Sequence, residues 1–211
     1  VRAAQNSEAA VLYERVCKIA DGAALMTECR VEVVFEKACS NLLQNTTLNQ
    51  VMYRAMQAIQ PLPARTDMDM QARLYQATLT GNDIEAVSRP LAQVLRGQVP
   101  VVFRDIAPYE PNLHETIFGS TDVADVSWVT PTVQAWVACY AFGTPLHSWQ
   151  MVAQGKNSLA HAGMVMAART LTATAIELVE QPHLIAQAQA ELLQRRGGKP
   201  YVCLLYTSDA A

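Results

Sequence analysis

The sequence predicts an α/β fold, in which a mixed sheet is flanked by helices. Two runs, 29–38 and 132–140, have the composition of strands, and other segments have the apolar spacing of helices. Hydrophobic residues make up 51% of the 211 residues and charged residues 17%, a balance that favours a folded globular protein over a disordered one. The net charge of -3, without a basic cluster, argues against nucleic acid as a partner.

The two predicted strands have different patterns. In 29–38, Val31, Val33 and Phe35 alternate with charged residues, as in a strand with one face in water. In 132–140, apolar residues occupy both faces, as in a strand buried within a sheet. The two runs therefore predict one solvated strand and one buried strand.

Six helices are predicted from capping residues and apolar spacing. They are expected from residue 6 or 7 to 26, and at 48–59, 67–79, 81 to about 97, 156–180 and 182 to about 194. Pro90 is expected to split the fourth of them. The first helix has an apolar face that contains Leu12, Val16, Ile19, Ala23 and Met26. The fifth has a face of small residues, predicted to pack closely against a sheet, with Ala160, Met164, Ala167, Leu171 and Ala175.

Two further features concern core packing and domain organisation. Met68 and Met70 are expected to fill gaps in a core. The polar residues Asn41, Asn45, Thr46 and Thr47 predict a crossing between two domains, either a hinge or an ordinary loop that leads to a threonine helix cap.

The beginning and the end of the chain predict a gene fragment. The chain opens without a methionine, and residues 203–211, CLLYTSDAA, look like a translated sequencing adapter. We therefore expect 203–211 to be foreign to the fold, with Cys203 itself ambiguous, and the chain to be truncated at the front.

Cysteine usage and hydropathy bear on the cellular location. The five cysteines, at 17, 29, 39, 139 and 203, are odd in number and lack CxxC spacing. This pattern favours reduced thiols in a cytoplasmic protein over a disulfide framework or a structural zinc site. No apolar run is judged to reach the roughly 20 residues of a membrane span, so no membrane contact is expected.

Residues 119–163 contain the candidate site. Asp122 and Asp125 lie in a polar turn, and His147 lies in a Gly-Thr-Pro loop after the second predicted strand. Catalytic and metal-binding residues concentrate on loops at the ends of rigid elements. By itself, however, a lone histidine is more often a surface residue, since a metal site needs three or four ligands. The two aspartates are more often turn or cap residues than catalytic ones.

Short motifs in this region resemble a known family. GSTDV, PTVQ, FGTPLHSWQ, QGK, AHAGM and GGKPY, in this order, are similar to the C-terminal part of metal-dependent amidohydrolases that include hippurate hydrolase, acyl-amino-acid hydrolases and carboxypeptidase G-type enzymes. Further back, IADGAALMTE and NLLQN resemble the end of the family's inserted α+β lid or dimerisation domain. The resemblance implies that 1–45 belong to that lid domain and 46–202 to the catalytic domain, which has a metal-dependent exopeptidase-like fold.

The resemblance also implies an activity. It predicts hydrolysis of the amide of p-aminobenzoyl-glutamate, a folate catabolite, or of a similar N-acyl amino acid, by water activated at two divalent ions, Mn or Zn. His147 matches the family's C-terminal metal ligand. The other ligands and the catalytic base match no residue of this chain, so the chain does not complete the site.

Four other residues are implied to lie near the metal or the substrate. Asp122 matches an acid that holds a turn, and Thr121 precedes it. His161 matches a position near the first turn of a long helix, where the helix dipole keeps an imidazole neutral. Trp149 stands where hippurate-hydrolase-like relatives carry proline, which favours the p-aminobenzoyl-glutamate branch. Its ring could line a substrate pocket or belong to the core.

Three interpretations of the chain's role remain open. The first is an amidohydrolase subunit that works with a homologous A-type subunit, or with a second copy of itself, on a small acyl-amino acid. The second is a non-catalytic or assembly subunit that keeps the amidohydrolase fold. The third is an α/β domain of unrelated function. Metal ligands upstream of this chain would favour the first interpretation, and their loss would favour the second.

Overall fold

A computed structural model describes residues 1–59, 61–110 and 119–203. In these ranges the regular elements are helices joined by loops. The helices are α1 (Asn6–Met26), α2 (Thr46–Ala58), α3 (Thr66–Gln76), α4 (Gly81–Ser88), α5 (Ala92–Leu95), α6 (Val123–Val129), α7 (Trp149–Gln154), α8 (Ser158–Glu180) and α9 (Pro182–Arg196), with a 3₁₀ turn at Arg89–Leu91. Of the segment 203–211, predicted to be foreign to the fold, all but Cys203 lies outside the described residues.

The chain divides into two compact units. The described parts of Val1–Leu48, Asn112–Thr132 and Ala186–Ala211 form the first unit, and those of Asn49–Pro111 and Val133–Ile185 form the second. The identity of the predicted domains, 1–45 and 46–202, stays a prediction.

The predicted mixed sheet is wrong. Over the described residues the structure contains no β-strand, and 57% of it is helical. Neither 29–38 nor 132–140 forms a strand. Alternation of apolar and polar residues shows which face of a strand would be buried. A strand forms, however, only when its backbone makes hydrogen bonds to a second strand. Within the described chain neither run finds such a partner.

Most helix boundaries follow local signals in the sequence and confirm the predictions. Before α4, the Thr80 hydroxyl accepts the N–H of Asp83 at 3.3 Å, and the Asp83 carboxylate accepts the N–H of Thr80 at 2.8 Å. This reciprocal pair satisfies N–H groups that a helix start leaves unpaired. Pro90 splits the following helix into α4, the 3₁₀ turn and α5, as expected.

The core of the second unit forms where α3 and α8 pack together. Met68, Ala72 and Leu159 from these helices join Val102 and Ala141 in one cluster, and each is at most 4% exposed. Met68 therefore fills the core as predicted. The same prediction is wrong for Met70, which is 63% exposed.

Helix α8 buries a different face from the predicted one. Its buried residues are Leu159, Gly163, Met166, Thr170 and Thr174. Met164 and Leu171, which belong to the predicted face, are 61% and 58% exposed. The hydroxyl groups of Thr170 and Thr174 donate to helix carbonyls four residues earlier, at 3.0 and 2.8 Å. Because these hydroxyls are satisfied within the helix, burying them costs little.

Gly163 explains why this face of α8 is the buried one. A Cβ atom at Gly163 would lie 2.7 Å from the Sγ atom of Cys139 and would overlap the carbonyl oxygen of Ala138. Backbone atoms cannot move aside as the end of a flexible side chain can. Only a glycine therefore lets α8 approach the segment around Ala138 this closely.

In the first unit, helix α1 leaves its apolar face uncovered. The structure describes no buried residue on α1, and Leu12, Val16, Ile19 and Met26 are 36%, 49%, 69% and 82% exposed. Apolar faces of this kind often mark surfaces that another chain covers.

A carboxylate from α9 caps the start of α2, at Thr46 and Thr47, which belong to the first unit. The side chain of Glu191 accepts the N–H groups of Thr46 and Thr47 at 2.7 and 2.9 Å, and Arg195 donates to it at 2.8 Å. Burial alone would raise the pKa of Glu191, but these hydrogen bonds outweigh it and lower the pKa to about 2. Asn45, 2% exposed, completes the cap by accepting the N–H of Leu48 at 3.0 Å. The polar segment before α2 is thus a capping loop, and its cap is Asn45 rather than the predicted threonine.

By length and composition, α8 could also cross a membrane, contrary to the expectation from the sequence. An 18-residue window of α8 has a mean hydropathy of 1.3, and 22% of that window is buried. The core helix of a soluble protein passes the same test, so length and composition assign no membrane role to α8.

The close approach at Gly163 predicts a strong effect of one methyl group. Gly163→Ala should lower the free energy of unfolding by at least about 2 kcal/mol, because the added Cβ forces α8 away from the Ala138 carbonyl. In Gly22→Ala the new methyl meets nothing within 4 Å, so the better helix former should stabilise α1 by up to about 1 kcal/mol. Urea denaturation of both variants measures the two changes, and equal effects would contradict this account.

The cap by Glu191 predicts a loss of stability in acid. A carboxylate whose pKa is lowered on folding stabilises the protein at pH values above the ordinary pKa of that carboxylate, near 4.5. This stabilisation is lost as the pH falls from there towards the folded-state pKa of about 2. The full effect is about 2–3 kcal/mol. Glu191→Gln should therefore be less stable than wild type at pH 7 and approach it at pH 3.

Urea denaturation at both pH values provides the measurement. Glu180→Gln, at the exposed end of α8, serves as the matched control. A gap between wild type and Glu191→Gln that is the same at both pH values would rule out the capping role.

Candidate functional site

His147 lies in a loop immediately before α7, with its side chain exposed. Its φ angle of 59° is in the left-handed region, which costs a residue other than glycine about 1–2 kcal/mol. Histidine tolerates this region better than most residues. Strained backbone that persists in a well-packed loop clusters at ligand-binding positions. The conformation of His147 is therefore consistent with a binding role.

The loop is anchored to the second unit by a close contact at Gly143. Gly143 has a φ angle of 90°, and a Cβ atom there would lie 3.0 Å from Cγ1 of Ile84 and 3.3 Å from Cδ1 of Leu79. Both the backbone angle and the available space therefore require glycine. Next to it, the N–H of Phe142 donates to the carbonyl of Val101 at 2.9 Å.

A buried glutamine holds the two ends of the loop together. Gln154, 0% exposed, accepts the N–H of Ala141 at 2.8 Å. Its amide nitrogen donates to the hydroxyl of Thr144 at 3.1 Å and to the carbonyl of Gln150 at 3.0 Å. Since an unpaired buried amide would be costly, these bonds constrain the loop on both sides of His147.

Two other side chains support the same loop. The amide of Gln76 donates to the carbonyls of Phe142 and Pro100 at 3.1 and 2.9 Å. Ser148 caps α7, because its hydroxyl accepts the N–H of Met151 at 3.2 Å while donating to Pro145 at 2.7 Å. Residue His147 is thus flanked on both sides by fixed backbone.

Sequence reasoning missed Gln154 and Gln76. The QGK motif, in which Gln154 occurs, also contains Lys156, which is exposed to solvent. The available signal was weak: a glutamine at the end of a short apolar segment. Only the fold reveals that its amide reaches residues 141–144.

Trp149 and His161 lie in the same unit as His147. Trp149 is the first residue of α7 and is 62% exposed, so its ring is not part of the core in the described chain. His161 is exposed in the first turns of α8, where the sequence placed it. A substrate-proximal role for each stays a prediction.

Asp122 and Thr121 belong to the first unit, just before α6. The side chain of Asp122 is 83% exposed, and Lys37 pairs with it at 3.1 Å. The hydrogen bond from Lys37 and its charge lower the pKa of Asp122. The hydroxyl of Thr121 accepts the N–H of Val123 at 3.3 Å and so holds the turn. Roles of both residues towards a substrate stay predictions.

Asp125 has a structural role that the sequence did not reveal. Its carboxylate accepts hydrogen bonds from the hydroxyl groups of Ser40 at 2.6 Å and Tyr201 at 3.3 Å. Burial and the neighbouring Asp125 carboxylate raise the pKa of Tyr201 to about 12. Also on α6, the hydroxyl of Ser127 accepts the N–H of Leu43 at 2.9 Å. Helix α6 therefore fixes the segment that leads towards α2, and Asp125 is not available as a cap.

The residues of this chain supply one candidate metal ligand and not a complete set. In the part of the chain that the structure describes, no three His, Cys, Asp or Glu side chains are grouped so that they could hold a metal ion. The exposed imidazole of His147 suits a divalent ion such as Zn or Mn, but such ions take three or four protein ligands. Any metal centre that uses His147 therefore needs ligands from outside the described residues.

The network around Gln154 predicts a large effect of removing its amide. Gln154→Ala should destabilise the protein by about 2–4 kcal/mol, because it leaves the N–H of Ala141 unpaired and creates a cavity. Gln150→Ala should change stability by less than about 0.5 kcal/mol, since only the backbone carbonyl of Gln150 takes part. Thermal unfolding monitored by circular dichroism compares the two, and similar melting temperatures would contradict the anchoring role.

Comparison with known proteins connects the chain to a curated relative. It is 40% identical over 212 residues to the B subunit of p-aminobenzoyl-glutamate hydrolase from Escherichia coli (strain K12), an alignment that covers 96% of this chain and 44% of that protein. The chain thus spans less than half of the relative's length. No family model matches the sequence, and no solved structure matches it. The identity along nearly the whole chain confirms the resemblance seen in the motifs: over 96% of its length the chain is similar to the B subunit of p-aminobenzoyl-glutamate hydrolase.

Proposed function

We propose that this chain is part of a metal-dependent amidohydrolase that cleaves the amide of p-aminobenzoyl-glutamate or of a similar N-acyl amino acid. The observation that carries the proposal is the 40% identity to a relative whose name states this substrate. That relative is more than twice as long as the matched region, so the activity belongs to a larger protein than the residues described.

In this proposal His147 contributes one ligand to the metal centre. A divalent ion, when bound, polarises the amide carbonyl and makes a water molecule more acidic. His147 offers an imidazole nitrogen from an exposed position, on a strained but anchored loop. Gln154 and Gly143 act as positioning residues, because they fix the backbone on which His147 lies.

The proposal includes a protein partner and a location. The relative is named as a subunit, and the exposed apolar face of α1 supports a contact with another chain, either a homologous subunit or a second copy. The five cysteines lie in the described residues as free thiols, which supports a cytoplasmic protein.

A chimeric enzyme tests the role of His147. Residues 1–203 of this chain would replace the matching region of the E. coli relative, co-expressed with the remaining subunits of that enzyme. Release of p-aminobenzoate from p-aminobenzoyl-glutamate, with Mn or Zn added, is the readout, together with the bound metal measured by mass spectrometry. His147→Ala should lower release at least ~100-fold and reduce bound metal, since even partners that only orient a ligand contribute 10–100-fold.

His183→Ala provides the matched control, because His183 is also exposed but lies on α9. This variant should keep both activity and metal. Unchanged release in His147→Ala would exclude it as a ligand. A folded chimera that releases no p-aminobenzoate, even with His147 intact, would favour the alternative of a non-catalytic or assembly subunit.

A further inference from the structure

Helix α8 presents an apolar stripe to solvent along most of its length. This stripe, here called the outer face, consists of Met164, Ala168, Leu171, Ala175 and Val179, whose spacing of three or four residues places them on one side of the helix. Met164, Leu171 and Val179 are 61%, 58% and 76% exposed, and both alanines are exposed as well. None of the five residues is charged. The outer face extends over about 22 Å of the helix.

The other side of α8 is already buried. Leu159 and Met166 lie in the interior of the second unit, so the helix is apolar on two sides. A helix that is apolar all round is typical of the interior of a large protein or of a membrane span. Of an 18-residue window of α8 with a mean hydropathy of 1.3, only 22% is buried. The described chain therefore covers one side of a helix whose composition is that of an interior element.

Contacts near both ends of α8 favour a protein interior over a bilayer. Leu159, at the start of the helix, packs in one cluster with Met68 of α3. Glu177, near its end, accepts a hydrogen bond of 3.1 Å from Nε of Arg54 on α2. Arg169 lies between them, and an arginine at the centre of a membrane-spanning helix is strongly disfavoured. Helix α8 therefore belongs to the second unit, and an apolar protein surface suits its outer face better than lipid does.

The length of the relative indicates where such a surface comes from. The matched region is 44% of the E. coli protein, so more than half of that polypeptide lies outside it. Interfaces between proteins that also exist separately are about as polar as the rest of the protein surface, whereas the outer face carries no charge. Larger domains bury a greater fraction of their surface than small ones. The outer face therefore has the character of a surface that a larger domain covers with its own chain.

We propose that the outer face of α8 is an internal packing surface of a longer protein, covered by apolar side chains from the part of the polypeptide that lies outside the matched region. The proposal goes beyond the proposed function, because it assigns a partner to this surface and requires neither a metal ion nor a substrate. A second copy of the chain, another subunit and a lipid surface are the alternatives that the experiment separates.

Oxidation of methionine by hydrogen peroxide reports whether the outer face is covered. Met164 on this face and Met70 on α3 are almost equally exposed, at 61% and 63%, whereas Met68 is 3% exposed. Peptide mass spectrometry follows all three in this chain and in the chimera in which residues 1–203 replace the matching region of the E. coli relative. In this chain, Met164 and Met70 should oxidise at similar rates, and Met68 at least ~10-fold more slowly. In the chimera, Met164 should be protected at least ~10-fold while Met70 keeps its rate.

The dependence on protein concentration identifies what covers the outer face. Protection by the same polypeptide should persist when the purified chimera, without other subunits or lipid, is diluted about 20-fold, because only association between molecules follows mass action. The proposal is overturned if Met164 oxidises as fast in the chimera as in this chain. It is also overturned if the protection is lost on dilution, or appears only with a second subunit or with phospholipid vesicles.

A pair of matched substitutions provides a second measurement. Leu171 lies on the outer face and Leu74 on α3, and they are 58% and 72% exposed. In this chain, Leu171→Gln and Leu74→Gln should each shift the Tm by less than about 2 °C, since glutamine and leucine have similar helix propensities. In the chimera, Leu171→Gln should lower the Tm by at least about 5 °C, because it buries an unpaired amide. Equal shifts of the two variants in the chimera would contradict the proposal. Neither measurement involves hydrolysis, so both are independent of the test on His147.

Discussion

The side-chain amide of Gln154 holds together the part of the second unit that presents His147. A fully buried amide must find partners for its donor and acceptor groups, and Gln154 finds them in Ala141, Thr144 and Gln150. These bonds connect the start of the loop to α7, so the backbone between them has little freedom. The left-handed conformation of His147 persists because the surrounding structure constrains it.

The same unit shows how close backbone approach sets the packing of a helix. Gly163 lets α8 contact the segment at Ala138, and this contact decides that Leu159, rather than Met164, enters the core. The face of α8 that carries Met164 and Leu171 then remains exposed. One glycine therefore determines which face of this helix enters the core.

In the first unit, carboxylates serve the architecture. Asp125 accepts hydrogen bonds from Ser40 and Tyr201, and Glu191 caps α2 through Thr46 and Thr47. The hydrogen bonds to Glu191 lower its pKa to about 2 and so hold this carboxylate in its charged form. This suits a structural acceptor and makes it a poor proton carrier near neutral pH.

Predictions from the sequence succeeded where the deciding contacts are local. Pro90 splits the helix predicted from 81 to about 97, as expected, and the helix predicted from 182 to about 194 ends at Arg196. The position of His147 on a loop was also predicted. The strand prediction for 132–140 failed because strand formation depends on a partner that the run itself does not contain.

The sequence by itself determined where most helices begin and end, and its motifs identified the family. The tertiary structure alone decided which face of α8 is buried, which carboxylates are engaged, and how Gln154 fixes the loop before α7. The physical reason is the range of the interactions. Capping and helix breaking act between residues three or four apart, whereas these contacts join residues up to 145 positions apart, and residue spacing carries no information about them.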